Sequence, residues 1–229
     1  MKKLRFVQTA LLVSALVAFP AVAFAASNST FNQTVNTGTL TTDIMDASRV
    51  TVGSPSVSMT AKNFSFDCQA GGSASTGTFG SNTQRVYVSN GDAADNGWTL
   101  TIGATGGATA RWQSGASQYV DFNDPAGSTA GCSDGADADT TSGQMTLDPS
   151  AGTLSADCTT CSTTNVSKGS SSAFNQGTLD SVTVLNAAAG SDDVWRGYLT
   201  GVGVSQTIPG ETPANSYTID LTLTVTASR

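Results

Sequence analysis

The sequence predicts an all-β protein, a single β-sandwich or barrel-like domain of roughly ten or more short strands. Three observations predict it. Tyr217, Ile219, Leu221, Leu223 and Val225 alternate with Thr218, Asp220, Thr222, Thr224 and Thr226. That period of two marks a strand with one face on a core and one in water. Gly, Ser, Thr, Asn, Asp and Pro punctuate the chain at short intervals, as turns between strands require. No stretch carries a heptad or an amphipathic helical period.

Residues 1–25 read as a secretory signal peptide. Lys2, Lys3 and Arg5 form its charged start, residues 10–19 its apolar stretch, and Ala23-Phe24-Ala25 an A-x-A cleavage site. The apolar stretch is shorter than the roughly 20 residues of a spanning helix. Residues 26–229 then form the mature domain, with no membrane segment expected after cleavage. Residues 26–35 are polar.

Strands are expected over residues 38–45 (anchored by Leu40), 56–61 (Val57 and Met59 on one face) and 63–68 (Phe64, Phe66 and Cys68 on one face). Residues 71–80 read as a Gly/Ser/Thr loop. Over residues 85–89, Val86 and Val88 take one face and Tyr87 the other. A turn over residues 91–97 leads into residues 98–102, where Trp98, Leu100 and Ile102 share a face. A strand follows over residues 118–122. Residues 121–170 form a long acidic, Gly/Ser/Thr-rich irregular insertion, with short strands at residues 143–147 and 163–166. Regular strands resume over residues 179–185, 195–199 and 201–208. Pro209, Gly210 and Pro213 make the turn into the final strand, residues 217–225.

The chain carries a formal charge of -7, and all of its 17 acids except Glu211 are Asp. Signal removal takes three basic residues and makes it more acidic. With no basic cluster, nucleic acid is not an expected partner. The absence of histidine excludes a Ser-His-Asp triad, a Cys-His pair and His-ligated zinc. No motif sets two carboxylates across a cleft, so the chain is expected not to be an enzyme.

The four cysteines, Cys68, Cys132, Cys158 and Cys161, are even in number and belong to an exported chain, which favours two disulfides. Three pairings are open. Cys158-Thr-Thr-Cys161 has redox-motif spacing, but it sits in a Ser/Thr-rich loop rather than at a helix start, which favours a structural bridge. Asp134, Asp137 and Asp139, around Gly135, are the candidate ligands of a structural calcium ion, because extracellular loops supply hard oxygens this way. They lack the spacing and terminal Glu of an EF-hand, and the competing expectation is a solvated acidic loop. No other cofactor is expected.

Two blocks resemble the WxL cell-wall-binding domain of bacterial surface proteins. The first is Thr78-Phe79-Gly80, Arg85 to Ser89, an acidic turn, and Gly97-Trp98-Thr99-Leu100-Thr101-Ile102. The second runs from Val202 through Pro209 to Ser216-Tyr217-Thr218 and Leu221-Thr222-Leu223. Leu221 stands where the family's distal motif has Trp. The resemblance implies a secreted, non-catalytic protein held at the cell surface by non-covalent binding to the cell wall, on a polymer such as peptidoglycan. Trp98 and Leu100 are its candidate peptidoglycan-binding residues. The competing reading of both is core packing, since amphipathic alternation marks a core face. Trp112 and Trp195, beside Arg111 and Arg196, are further aromatic residues suited to saccharide stacking or to a packed rim. The start of the mature chain, residues 31–40 with Asn36-Thr37-Gly38-Thr39-Leu40, resembles camelysin-type matrix fibre proteins. That similarity implies an alternative: a structural subunit of a surface fibre or biofilm matrix, assembled with itself or other surface proteins by β-strand addition.

Overall fold

The structure is a computed structural model that describes residues 32–36, 38–92, 96–126, 130–135, 139–192 and 194–228. The chain divides into residues 1–35 and residues 36–229. In the first unit, the described residues 32–35 have no regular secondary structure. The second unit is all-β, with 14 described strands. In chain order these are β1 (Leu40–Met45), β2 (Ser75–Phe79), β3 (Arg85–Asn90), β4 (Trp98–Ala104), β5 (Trp112–Ser114), β6 (Gln118–Val120), β7 (Met145–Asp148), β8 (Thr153–Ala156), β9 (Val166–Lys168), β10 (Ser172–Ala173), β11 (Ser181–Ala187), β12 (Trp195–Thr200), β13 (Val202–Gln206) and β14 (Leu221–Ala227).

The strands form sheets of order β1-β3-β12-β8, β10-β7-β13-β2 and β14-β4-β11-β9, with β5-β6 a separate hairpin. Every pairing is antiparallel. The first two sheets are one ribbon bent at a single level. β12 and β13 are separated only by Gly201, at φ 79°. β2 and β3 run along one side of this long strand, with Phe79 opposite Val202 and Val86 opposite Leu199. β7 and β8 run along the other side, with Asp148 opposite Gly203 and Thr153 opposite Thr200. At the level of Gly201 both outer strands carry extra residues, 80–84 on one side and 149–152 on the other. Unequal chain length across a ladder bends it, as a bulge does. The Gly201 N–H donates to the Gly80 carbonyl at 2.7 Å, which fastens the bend. A positive φ at Gly201 favours the one residue without a Cβ.

The core lies where β3 and β12 face β4 and β11. Trp98, Leu100 and Ile102 on β4 point inward with Val182, Val184 and Leu185 of β11. A register shift between Thr183 and Leu185 lets the consecutive Val184 and Leu185 both turn inward. Trp98 and Trp195 are fully buried and lie with ring centroids 5.3 Å apart. Burying side chains of this size contributes on the order of 4–6 kcal/mol each. Phe122 and Phe174 extend the core with an edge-on contact at 5.1 Å.

Several sequence expectations are corrected. Residues 56–61 and 63–68 are not strands, and residues 66–67 bend; Val57 and Met59 still pack on the core, while Phe64 and Phe66 are exposed. The expected loop 71–80 contains β2, whose Ser-Thr-Gly-Thr-Phe sequence has one large apolar residue and so no visible alternation. Tyr87 is buried like its neighbours, because Tyr198 and the Arg49–Asp157 pair cover the outer face. The final strand begins at Leu221 rather than Tyr217 and is an edge, paired with β4 alone, so Leu221, Leu223 and Val225 are half-buried. Within residues 121–170 the short strand expected at 143–147 is present as β7, and β7 and β8 flank the long central strand.

Two disulfides join Cys68 to Cys132 and Cys158 to Cys161. They are compatible with an extracellular protein. The first closes a separation of 64 residues, the second one of 3. Chain entropy alone gives the long bridge on the order of 4 kcal/mol and the short one about 2 kcal/mol. No helix among the described residues is long and apolar enough to cross a membrane.

Candidate binding groove

A groove of about 580 Å³ with both apolar and polar walls runs between residues 57–65 and residues 209–217. Its floor includes Trp112, Val120, Gln206 and Ile208. The first wall is held against β2: the Thr60 N–H donates to the Thr76 carbonyl at 2.6 Å, and the Ser75 hydroxyl donates to the Thr60 carbonyl at 2.7 Å. This approach requires Gly77. A Cβ there would sit 2.6 Å from Met59 Sδ and 3.1 Å from the Ser58 carbonyl oxygen. The second wall follows the Pro209-Gly210 turn. The Glu211 N–H donates to the Ser65 carbonyl at 2.8 Å, joining the walls at one end. Paired bonds between Gln69 and Ile208, at 2.8 and 3.0 Å, close the same end, beside the Cys68–Cys132 bridge.

Trp112 is held by its indole. Its Nε1–H donates to Gln206 Oε1 at 2.8 Å, and Gln206 Nε2 donates to the carbonyls of Asp121 at 2.8 Å and Thr207 at 2.9 Å. Gln206 is 2% exposed, and both of its amide hydrogens and one carbonyl lone pair are spent on orienting the floor. On the rim, the Tyr217 hydroxyl donates to the Pro213 carbonyl at 2.9 Å. Burial raises the Tyr217 pKa above the ordinary phenol value, which keeps the group neutral. Asn215 Nδ2 donates to Gln118 Oε1 at 2.7 Å, bracing the rim on the β5-β6 hairpin.

Among the described residues that line the groove, Lys62 is the one charged side chain; the others are apolar, hydroxyl or amide groups. The titratable side chains of this lining are Lys62 and Tyr217. The lining offers aromatic faces from Trp112 and Tyr217 with amides from Asn63, Gln69 and Asn215, a combination suited to holding an uncharged, partly apolar chain.

The expected site residues fall elsewhere. Trp98 and Leu100 are both 0% exposed, so neither presents a face to a ligand in this fold. Their alternation along β4 is that of a core strand. Trp195 is likewise in the core, while Trp112 is half-buried at the groove. Asp137 lies outside the described residues. Asp139 Oδ1 accepts the Thr141 N–H at 2.7 Å and also bonds the Thr141 hydroxyl, and Arg111 stands 3.7 Å from Oδ2. Next to Asp134, the Gly135 N–H donates to Asp124 Oδ2 at 2.8 Å. No group of three or more His, Cys, Asp or Glu among the described residues is arranged to hold a metal ion.

A second polar cluster covers the outer face of the first sheet. Asp157 receives the Tyr87 hydroxyl and a two-pronged contact from Arg49, Nε at 2.7 Å and a terminal nitrogen at 3.1 Å. The Arg196 guanidinium donates to the Asp157 carbonyl at 3.0 and 2.8 Å. The Arg49 contact, with Tyr87 and Arg196 adding to it, holds the Asp157 carboxyl down at about 2. Burial and the neighbouring carboxylate raise the Tyr87 phenol.

Sequence reasoning singled out Trp112 but did not join it to Tyr217 or residues 57–65. The signals available were the Val57/Met59 alternation and the Pro-Gly-rich turn before the last strand. Neither shows that two segments some 150 residues apart in the sequence meet. No protein family, curated protein or solved structure matches the chain.

Proposed function

We propose that this chain is an exported surface protein that binds cell-wall polymer, such as peptidoglycan, non-covalently in the Trp112–Tyr217 groove. The observation that carries the reading is the groove's lining: the aromatic side chains of Phe64, Trp112 and Tyr217 and several amides, with no carboxylate. Aromatic faces stack on the apolar faces of sugar rings, and amides match sugar hydroxyls and peptide groups. The WxL-like blocks support the same class of partner, and here they build the frame: the Trp98 block forms β4, and the distal block supplies β13, the rim and β14.

Sedimentation of residues 26–229 with purified peptidoglycan, in calcium and in chelator, tests it. Pelleting that requires peptidoglycan and that Tyr217→Ala abolishes is the expected result. A protein that stays in the supernatant with peptidoglycan overturns wall binding.

One observation favours a second reading, a fibre subunit assembled by strand addition. β14 is a seven-residue edge strand with one hydrogen-bonded neighbour. Such an edge can template another chain's strand. Pelleting without peptidoglycan would select this reading.

A further inference from the structure

The Cys158–Cys161 bridge is set up differently from a structural clasp. Stabilisation by a disulfide grows with the loop it closes, so a separation of 3 residues gives far less than the 64 spanned by Cys68–Cys132. Its two sulfurs also have unlike surroundings. Cys158 lines an open pocket of about 450 Å³ with Arg49, Asp157, Thr159 and Arg196. Cys161 packs against the hydrophobic core, and its Sγ accepts the Arg196 backbone N–H at 3.4 Å. Near this pair, the guanidinium of Arg49 lies 2.7 Å and that of Arg196 3.9 Å from the Asp157 carboxylate. In the pocket that Cys158 lines, two guanidinium groups stand against one carboxylate, which favours a thiolate at Cys158, while Asp192 lies on the Cys161 side.

The loop is also clamped independently of the bridge. The Asp157 N–H donates to the Arg196 carbonyl at 2.7 Å, the Ser162 N–H to Asp192 Oδ2 at 2.6 Å, and Trp195 Nε1 to the Ser162 carbonyl at 2.8 Å. Opening the bridge therefore leaves both cysteines in place to close again.

We propose that Cys158–Cys161 is a thiol–disulfide exchange site for a peptide or protein dithiol, with Cys158 the attacked sulfur and Cys161 the leaving one. A substrate thiolate attacks Cys158 Sγ. The Cys158–Cys161 bond breaks, and its electron pair goes to Cys161 Sγ, beside the Arg196 N–H. The second substrate thiol, as thiolate, then attacks the substrate sulfur of the mixed disulfide and expels Cys158 as thiolate. The substrate loses two electrons and two protons and becomes a disulfide; the protein gains both as a dithiol. A small-molecule disulfide, reduced to two thiols, restores the bridge.

Two experiments test this. In the first, the folded mature protein is titrated with reduced glutathione, alkylated, and mapped by mass spectrometry. The expected result is that Cys158 and Cys161 label before Cys68 and Cys132; simultaneous opening, or Cys68–Cys132 opening first, overturns the proposal. In the second, Cys161→Ser and Cys158→Ser are each treated with oxidised glutathione. Cys158 in the first variant is expected to form the mixed disulfide about tenfold faster than Cys161 in the second. Equal rates, or a faster Cys161, overturn the assignment. The titration uses the unmodified chain, so it decides the matter if either variant fails to fold.

Discussion

Trp98 on β4 and Trp195 on β12 meet across the two facing sheets with ring centroids 5.3 Å apart and an interplanar angle of 37°. Both are fully buried, and the Trp98 indole N–H has no hydrogen-bond partner among the described residues. Trp98→Ala is expected to cost about 3–5 kcal/mol through the cavity it leaves. Trp98→Phe should cost clearly less, because it keeps a ring and removes the unsatisfied donor. Denaturant unfolding of the two variants checks the order; a Phe variant as unstable as the Ala variant would contradict it.

Gly77→Val should push residues 57–59 off β2, since the added carbon meets Met59 Sδ and the Ser58 carbonyl. A loss of about 1–3 kcal/mol is expected. Trp112 fluorescence should shift to the red as the groove opens to water.

Gln206→Leu is expected to strand the Asp121 and Thr207 carbonyls, at roughly 1–3 kcal/mol. It also frees the Trp112 indole to reorient. Groove binding should weaken by more than stability falls, which peptidoglycan pelleting and thermal melting measured on the same samples will separate.

The Asp157 carboxyl titrates at about 2 in the folded protein against an ordinary 3.8. A depressed carboxylate contributes stability above its unfolded pKa and loses it as pH falls through the folded value. Melting temperature should therefore drop between about pH 4 and pH 2. Asp157→Asn should be less stable at neutral pH and show a shallower drop across that window. Equal slopes would place the acid sensitivity elsewhere.

The strands at Leu40, Arg85, Trp98, Trp195 and Val202 were legible because β-branched or aromatic residues alternate there with small polar ones. Their neighbours were not. β2 is built from small residues and is held by pairing to Val202–Gln206, a long-range contact with no local signature. Phe64 and Phe66 gave a strand-like alternation, but no described strand pairs with them; Phe64 lines the groove and Phe66 stays exposed. Trp98 and Leu100 were recognisable as a pair on one face; their burial follows from β11 and β12 closing over them, which alternation alone could not tell from an exposed platform. The groove depends on residues 57–65 meeting residues 209–217, and only the assembled ribbon brings them together.

The long bent strand made by β12 and β13 lies late in the chain, at Trp195–Gln206. Its partners β2, β3, β7 and β8 all precede it. A chain made from its N-terminus therefore presents four strands with no centre to pair on until its last segment emerges. Until then the core has no far wall and the groove no second side. Pairing of the first two sheets is thus deferred by the order of synthesis itself.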